Sequence, residues 1–183
     1  MRFVGLFLLL SAISVAQTRS IETVSSSITV HAYKSGLFSF AGHDHIIKAP
    51  ISSGTLDKMK RTVEFVIRVN DMQVLDPGES DKNKAEIRST MLGPNLLEAE
   101  KYPEIRFHST EIKQLTPKTL EVHGELVLHG VPRPLTLKIT EEGDHYVGQA
   151  KLKQTDYGLT PVSVAGGTVK VKDEVLIEFS IKE

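Results

Sequence analysis

The sequence contains no cysteine. Disulfides, thiol nucleophiles, iron–sulfur clusters and thiolate zinc sites are therefore excluded, and stability must come from packing. Nor is there an excess of one charge: 22 lysines and arginines face 23 aspartates and glutamates, for a formal net charge of −1. A nucleic-acid footprint needs a clear basic excess, which is missing. Beyond the N-terminus no run is apolar enough to span a bilayer, which takes ~20 residues. The Gly-x-Ser-x-Gly elbow of serine hydrolases is absent; the glycine-rich stretch Val164-Ala165-Gly166-Gly167 lacks the central serine. No glycine-rich phosphate loop leads into Lys-Ser/Thr. Low-complexity tracts and internal repeats are also missing.

The N-terminus carries an address. Met1-Arg2 is followed by an apolar stretch from Phe3 to Leu10, then by small residues up to Ser14-Val15-Ala16. One cation, a short apolar core and a small-x-small site predict a signal peptide over 1–16, with a single domain over 17–183 that is periplasmic or secreted. An uncleaved anchor would need a longer apolar run.

Period-two alternation recurs along the rest. Thr62–Val69 places Val63, Phe65, Ile67 and Val69 on one face. Thr119–Gly130 places Leu120, Val122, Leu126 and Leu128 opposite Glu121, His123, Glu125 and His129. Leu135, Leu137 and Ile139 alternate with polar residues, as do Val175, Ile177, Phe179 and Ile181. Such alternation describes strands with one buried and one wet face. Turn signals such as Thr116-Pro117-Lys118 and Glu142-Gly143-Asp144 separate them. Glu79–Pro103 departs from this pattern and reads helical: Asp81 can cap a helix to about Leu92, Gly93-Pro94 stops it, and Asn95 with Glu98 suggests a second short helix. The expectation is an all-β chain of about eight or more antiparallel strands with a short helical insertion. Its edges must be settled in a sandwich or a closed barrel.

Two stretches carry candidate chemistry. The inward faces are aliphatic, aromatic and nearly uncharged; a small barrel with such faces either fills with side chains or holds one apolar ligand. Gly36–His45 combines Phe38 and Phe40, bracketed by Gly36 and Gly42, with His43 and His45. Histidines at i and i+2 share one side of an extended segment and could chelate a metal. That needs further ligands, with His31, His129, Asp44 and Glu86 as candidates. A metal-binding protein or metal-dependent enzyme using His43 and His45 is the alternative; imidazoles hydrogen-bonding at a barrel rim need no metal.

In order along the chain, "GLFSFAGHDH", "VEFVIRVNDMQVLD", "IRS" at Ile87–Ser89, "KYPEIRFHST" and "LEVHGELVLHGVPRPLTL" resemble the YceI family. The match spans nearly the whole chain beyond the leader. The resemblance implies an eight-stranded antiparallel lipocalin-like β-barrel without catalytic activity or cofactor. Its tunnel would hold an isoprenoid or other amphiphilic lipid, and assembly as a homodimer is compatible with it. On that reading the tunnel is lined by Phe38, Phe40, Val63, Phe65, Ile67, Val69, Phe107, Leu126, Leu128 and Leu137. Ile87, Met91 and Leu96 would come from the helical insertion, and Arg88 would anchor a polar head or form a structural pair. Gly93-Pro94, Glu86 and the His-Asp-His stretch depart from the family pattern.

Overall fold

The computed structural model describes residues 18–35, 44–164 and 169–183. The expected leader and Phe38, Phe40 and His43 lie outside the described residues. The strands are β1 (Thr18–Ser20), β2 (Ser27–Ser35), β3 (His45–Lys48), β4 (Ile51–Asp57), β5 (Thr62–Arg68), β6 (Gln73–Val74), β7 (Glu104–Thr116), β8 (Thr119–Leu128), β9 (Val131–Glu142), β10 (His145–Lys153), β11 (Ser163–Val164) and β12 (Val169–Lys182). One helix, α1 (Asp81–Leu92), interrupts them. All pairings in the single sheet are antiparallel, in the order β1-β4-β5-β7-β8-β9-β10-β12-β2-β3-β6, with β11 beside β12.

This order closes on itself through one bent strand. β3 pairs with β2, while β4 pairs with β5, and only Ala49-Pro50 separates β3 from β4. The Ala49 amide still donates to the Ile28 carbonyl of β2 (2.9 Å), and Ile51 already faces Ile67 of β5. Proline has no N–H to give and so suits the residue where pairing changes sides. Counting β3 and β4 as one stave, β2, β3/β4, β5, β7, β8, β9, β10 and β12 make the expected eight. β1, β6 and β11 are short additions.

Consecutive staves are neighbours, so the connections collect at two ends. The turn end holds the β1–β2, β4–β5, β7–β8 and β9–β10 turns and the last residue, Glu183. The helical end holds α1, the β8–β9 turn and the 3-10 turn Gln154–Tyr157. The β8–β9 turn is two residues long, between the paired Leu128 and Val131. Both have positive φ (His129 53°, Gly130 72°), the backbone of a tight hairpin turn matched to strand twist. Gly130 also has no room for a side chain: a Cβ would meet the Tyr102 ring at 2.6 Å. His129 is held in place by Glu98 (2.9 Å) and by the edge of the Tyr102 ring (4.3 Å between centroids).

The helical insertion differs from expectation in two ways. Ser80, not Asp81, caps α1: it has extended backbone and its Oγ accepts from the Asn83 amide (3.2 Å). After Gly93-Pro94 there are turns instead of a second helix. The amides of Leu96 and Glu98 return to the Gly93 carbonyl, and those of Leu97 and Ala99 return to Met91 and Leu92. Folding back onto the end of α1 satisfies the last helical carbonyls and turns Leu96 and Leu97 toward the barrel interior.

Candidate functional site: a cavity inside the barrel

The barrel encloses a cavity of about 740 Å³ with side chains from all eight staves and α1 in its wall. Small-ligand pockets run ~300–1,000 Å³, so this one is large enough for a substantial molecule. The inward faces of the alternating strands supply the wall. Val30, Val63, Phe65, Leu120, Ala150, Ile177 and Phe179 all line it, yet each is only partly buried. In a filled barrel these inner positions would be sealed by each other. Here the apolar surface they keep faces the cavity.

Glycines on the inner face explain how bulky phenylalanines leave the bore open. A Cβ on Gly124 would lie 2.5 Å from Phe107 Cζ, and one on Gly148 2.5 Å from Phe179 Cζ. Gly54 directly faces Phe65 in register. Its missing Cβ would meet Ile21 Cδ1 at 2.6 Å and Phe65 Cβ at 2.9 Å. The Phe107 and Phe179 rings thus occupy the space that side chains on Gly124 and Gly148 would need, close to the wall. Phe65 and Phe107 also stack on adjacent staves, with centroids 5.3 Å apart and planes 26° apart.

Polar groups occur at the two ends of the cavity. At the turn end the lining includes Lys58, Arg61, Gln114, Glu141 and Tyr146. Lys58 is paired with Glu183. The Tyr146 hydroxyl stands 3.4 Å from Glu141 and 3.5 Å from Glu183. The hydrogen bond to Glu183 holds the Lys58 ammonium above the usual lysine value. Burial, followed by the Glu183 charge, pushes the Tyr146 phenol up as well. Both therefore stay protonated at neutral pH and present N–H and O–H donors. At the helical end His45 lines the cavity beside Glu86, Thr90 and Gln154. His45 Nδ1 lies 2.6 Å from Asp76 Oδ2, and the other oxygen of Asp76 accepts from the Ile46 amide (2.7 Å). Asp76 is 1% exposed, so these two partners are what make its burial tolerable.

Ten of the residues expected in the tunnel line this cavity: Val63, Phe65, Ile67, Ile87, Met91, Leu96, Phe107, Leu126, Leu128 and Leu137. Val69 and Arg88 do not. Val69 opens the 3-10 turn Val69–Asp71, where the two-residue period ends and its side chain passes into the packed core. Arg88 donates to the backbone carbonyls of Met72 (2.8 Å) and Asn70, fastening α1 to that turn. It borders a small surface cleft with Asn70, Ser89 and Glu100 instead of the lumen. Of the residues that could have joined a metal site, His31 pairs with Glu178 (2.9 Å), His129 with Glu98, and Asp44 accepts from the Lys34 amide (2.9 Å), which leaves Glu86 in the cavity lining with His45. Among the described residues no three His, Asp or Glu side chains converge on a metal position.

A family model described as YceI-like domain matches residues 14–182. Among curated proteins, a UPF0312 protein of Pseudomonas putida strain W619 is 42% identical over 62 residues, covering 34% of this chain and 32% of that protein. A UPF0312 protein of Vibrio campbellii is 30% identical over 115 residues, 57% of this chain and 59% of that one. These matches thus span from about a third to three fifths of the relatives' length. Among solved structures, Burkholderia cenocepacia BcnA superposes with a TM-score of 0.61 at 18% identity, covering 88% of this chain and 98% of that one. A polyisoprenoid binding domain from Saccharophagus degradans, implicated in plant cell wall breakdown, gives 0.58 at 16% identity, covering 88% and 95%. At such identities the superpositions speak to the fold.

Proposed function

The chain belongs to the YceI-like domain family, and from that premise we propose that it is a non-enzymatic, exported carrier that holds an isoprenoid or similar amphiphilic lipid inside the barrel. The observation that carries this reading is the 740 Å³ cavity with partly exposed apolar side chains on its inner wall. At the ~30 Å³ that a water-sized group takes in a liquid, it has room for about 25 such groups, or about five isoprene units. Desolvation supplies the affinity. At ~0.8 kcal/mol per buried methylene, ten ligand carbons contribute about 8 kcal/mol before ordering costs are subtracted. The name of the Saccharophagus relative supports the ligand class, and the N-terminal residues 1–16 support export through a signal peptide cut after Ala16. The apolar middle of the lumen suits a prenyl chain, and the donors Lys58 and Tyr146 at the turn end suit its polar end.

Native mass spectrometry of the protein mixed with prenols of increasing chain length tests this. Uptake should rise with chain length to about five units and then fall as the lumen fills. Absence of uptake at every length would contradict the reading.

A further inference from the structure

Four large apolar side chains are strongly exposed among the described residues: Val24 (94%), Met59 (64%), Leu115 (49%) and Leu75 (43%). Isolated exposed apolar residues are ordinary. Leu75 stands alone after β6, where its amide donates to the Ile46 carbonyl, but the other three are not scattered. Val24 sits in the β1–β2 turn, Met59 in the β4–β5 turn, and Leu115 beside the β7–β8 turn. These are three of the four turns at the turn end of the barrel, the end of the cavity lined by Lys58, Arg61 and Gln114.

Charge at this end is divided. The β4–β5 turn contributes Lys58, Lys60 and Arg61, and the β7–β8 hairpin contributes Lys113 and Lys118. Lys58 is paired with Glu183, Lys60 with Asp57 (3.7 Å) and Lys113 with Glu111 (3.0 Å). Arg61 and Lys118 have no acidic partner among the described residues. The acidic groups Glu141, Glu142 and Asp144 are on the β9–β10 turn, across the ring of staves from β4–β5, and Asp144 is offset by Lys182 (3.4 Å). Glu22, on the turn that bears Val24, shares the same Lys182 (3.1 Å), so the excess of cations is in the sector that bears Met59 and Leu115.

We propose that the turn end docks on an anionic lipid bilayer, with Met59, Leu115 and Val24 entering the interface and the surrounding cations facing lipid phosphates. The apolar tips stand on separate turns with charged residues between them. A protein partner asks for a continuous surface, ~800 Å² per side. A bilayer interface takes separate apolar tips one by one and rewards each nearby cation. Docking in this pose sets the turn end of the cavity against the membrane. It stands apart from what fills the lumen, because Met59, Leu115, Lys60 and Lys118 do not line it.

The test is co-sedimentation of the full chain with phosphatidylcholine vesicles, with and without phosphatidylglycerol, at low and high salt. Binding should require phosphatidylglycerol and weaken with salt. Lys60→Gln with Lys118→Gln should weaken it at least about 5-fold, the ~1 kcal/mol of the unpaired Lys118 near the surface, since Lys60 is already paired with Asp57. Met59→Asp with Leu115→Asp should abolish it. Circular dichroism and prenol uptake should match the parent in both variants, which separates a failure of docking from a failure of the cavity reading. Equal binding to both vesicle types, or unchanged binding by either variant, would overturn the proposal. So would a dimer that the Met59/Leu115 variant splits, since the face would then be a contact between copies.

Discussion

Gly124→Ala tests how the lumen is kept open. A methyl group at this position would sit 2.5 Å from the His108 carbonyl oxygen and 2.5 Å from Phe107 Cζ. The ring can swing, but only away from the wall and into the lumen, where it loses its stack on Phe65. The carbonyl cannot swing, because it belongs to β7, which is paired with β8 on either side of this point. The strands must part locally. Overpacking of this kind costs ~1–3 kcal/mol. For a chain of this size each kcal/mol moves Tm by ~2–4 °C, so the fall should be about 2–12 °C. Ligand capacity should fall with it, by roughly the volume of the displaced ring. Differential scanning calorimetry and prenol uptake by native mass spectrometry read the two effects. A variant with parental Tm and parental uptake would refute the argument that the inner glycines hold the rings against the wall.

Phe65→Asp should lower prenol uptake and stability together, because a carboxylate on the inner face must lose water without a partner or take up a proton; uptake and thermal melts check both. Arg88→Gln should destabilise the protein by about 1–3 kcal/mol in urea unfolding, through the two lost bonds from the guanidinium to backbone carbonyls, while prenol binding measured on the folded protein stays at the parental level. Asp57 is held below the usual aspartate range by the Lys60 amide, the Thr18 hydroxyl and the Met59 amide, against the cost of its burial. Its contribution is thus present above the ordinary value of 3.8 and disappears as pH falls through the lower folded value. Asp57→Asn should flatten the acid side of a Tm-against-pH curve and leave the alkaline side unchanged.

The barrel walls were legible because alternation is a direct image of a strand with a dry and a wet face. Val63, Phe65 and Ile67 reach the lumen as their spacing predicts, and Val175, Ile177, Phe179 and Ile181 behave the same way. Val69 was misplaced because the pattern continues for one residue after the backbone turns into a 3-10 turn. Arg88 shows the limit of residue type as a guide. A guanidinium suits a head group and a pair of carbonyls equally well, and only the path of residues 69–72 beside α1 decides between them. The role of the inner glycines is hard to read from the sequence for a related reason. Gly124 and Gly148 interrupt the alternation without a turn, which was the available signal, but the phenylalanines they accommodate are on neighbouring strands. Lys58 and Arg61 belong to a turn, outside any periodic pattern, and line the cavity only because the barrel curves.

An isoprenoid inside the barrel is tested most directly by extracting the protein, purified without detergent, with organic solvent and analysing the extract by mass spectrometry. The expected result is a prenyl lipid at close to one molecule per chain, lost from the Phe65→Asp protein. An extract without lipid, from a protein that also fails to take up added prenol, would contradict the carrier reading.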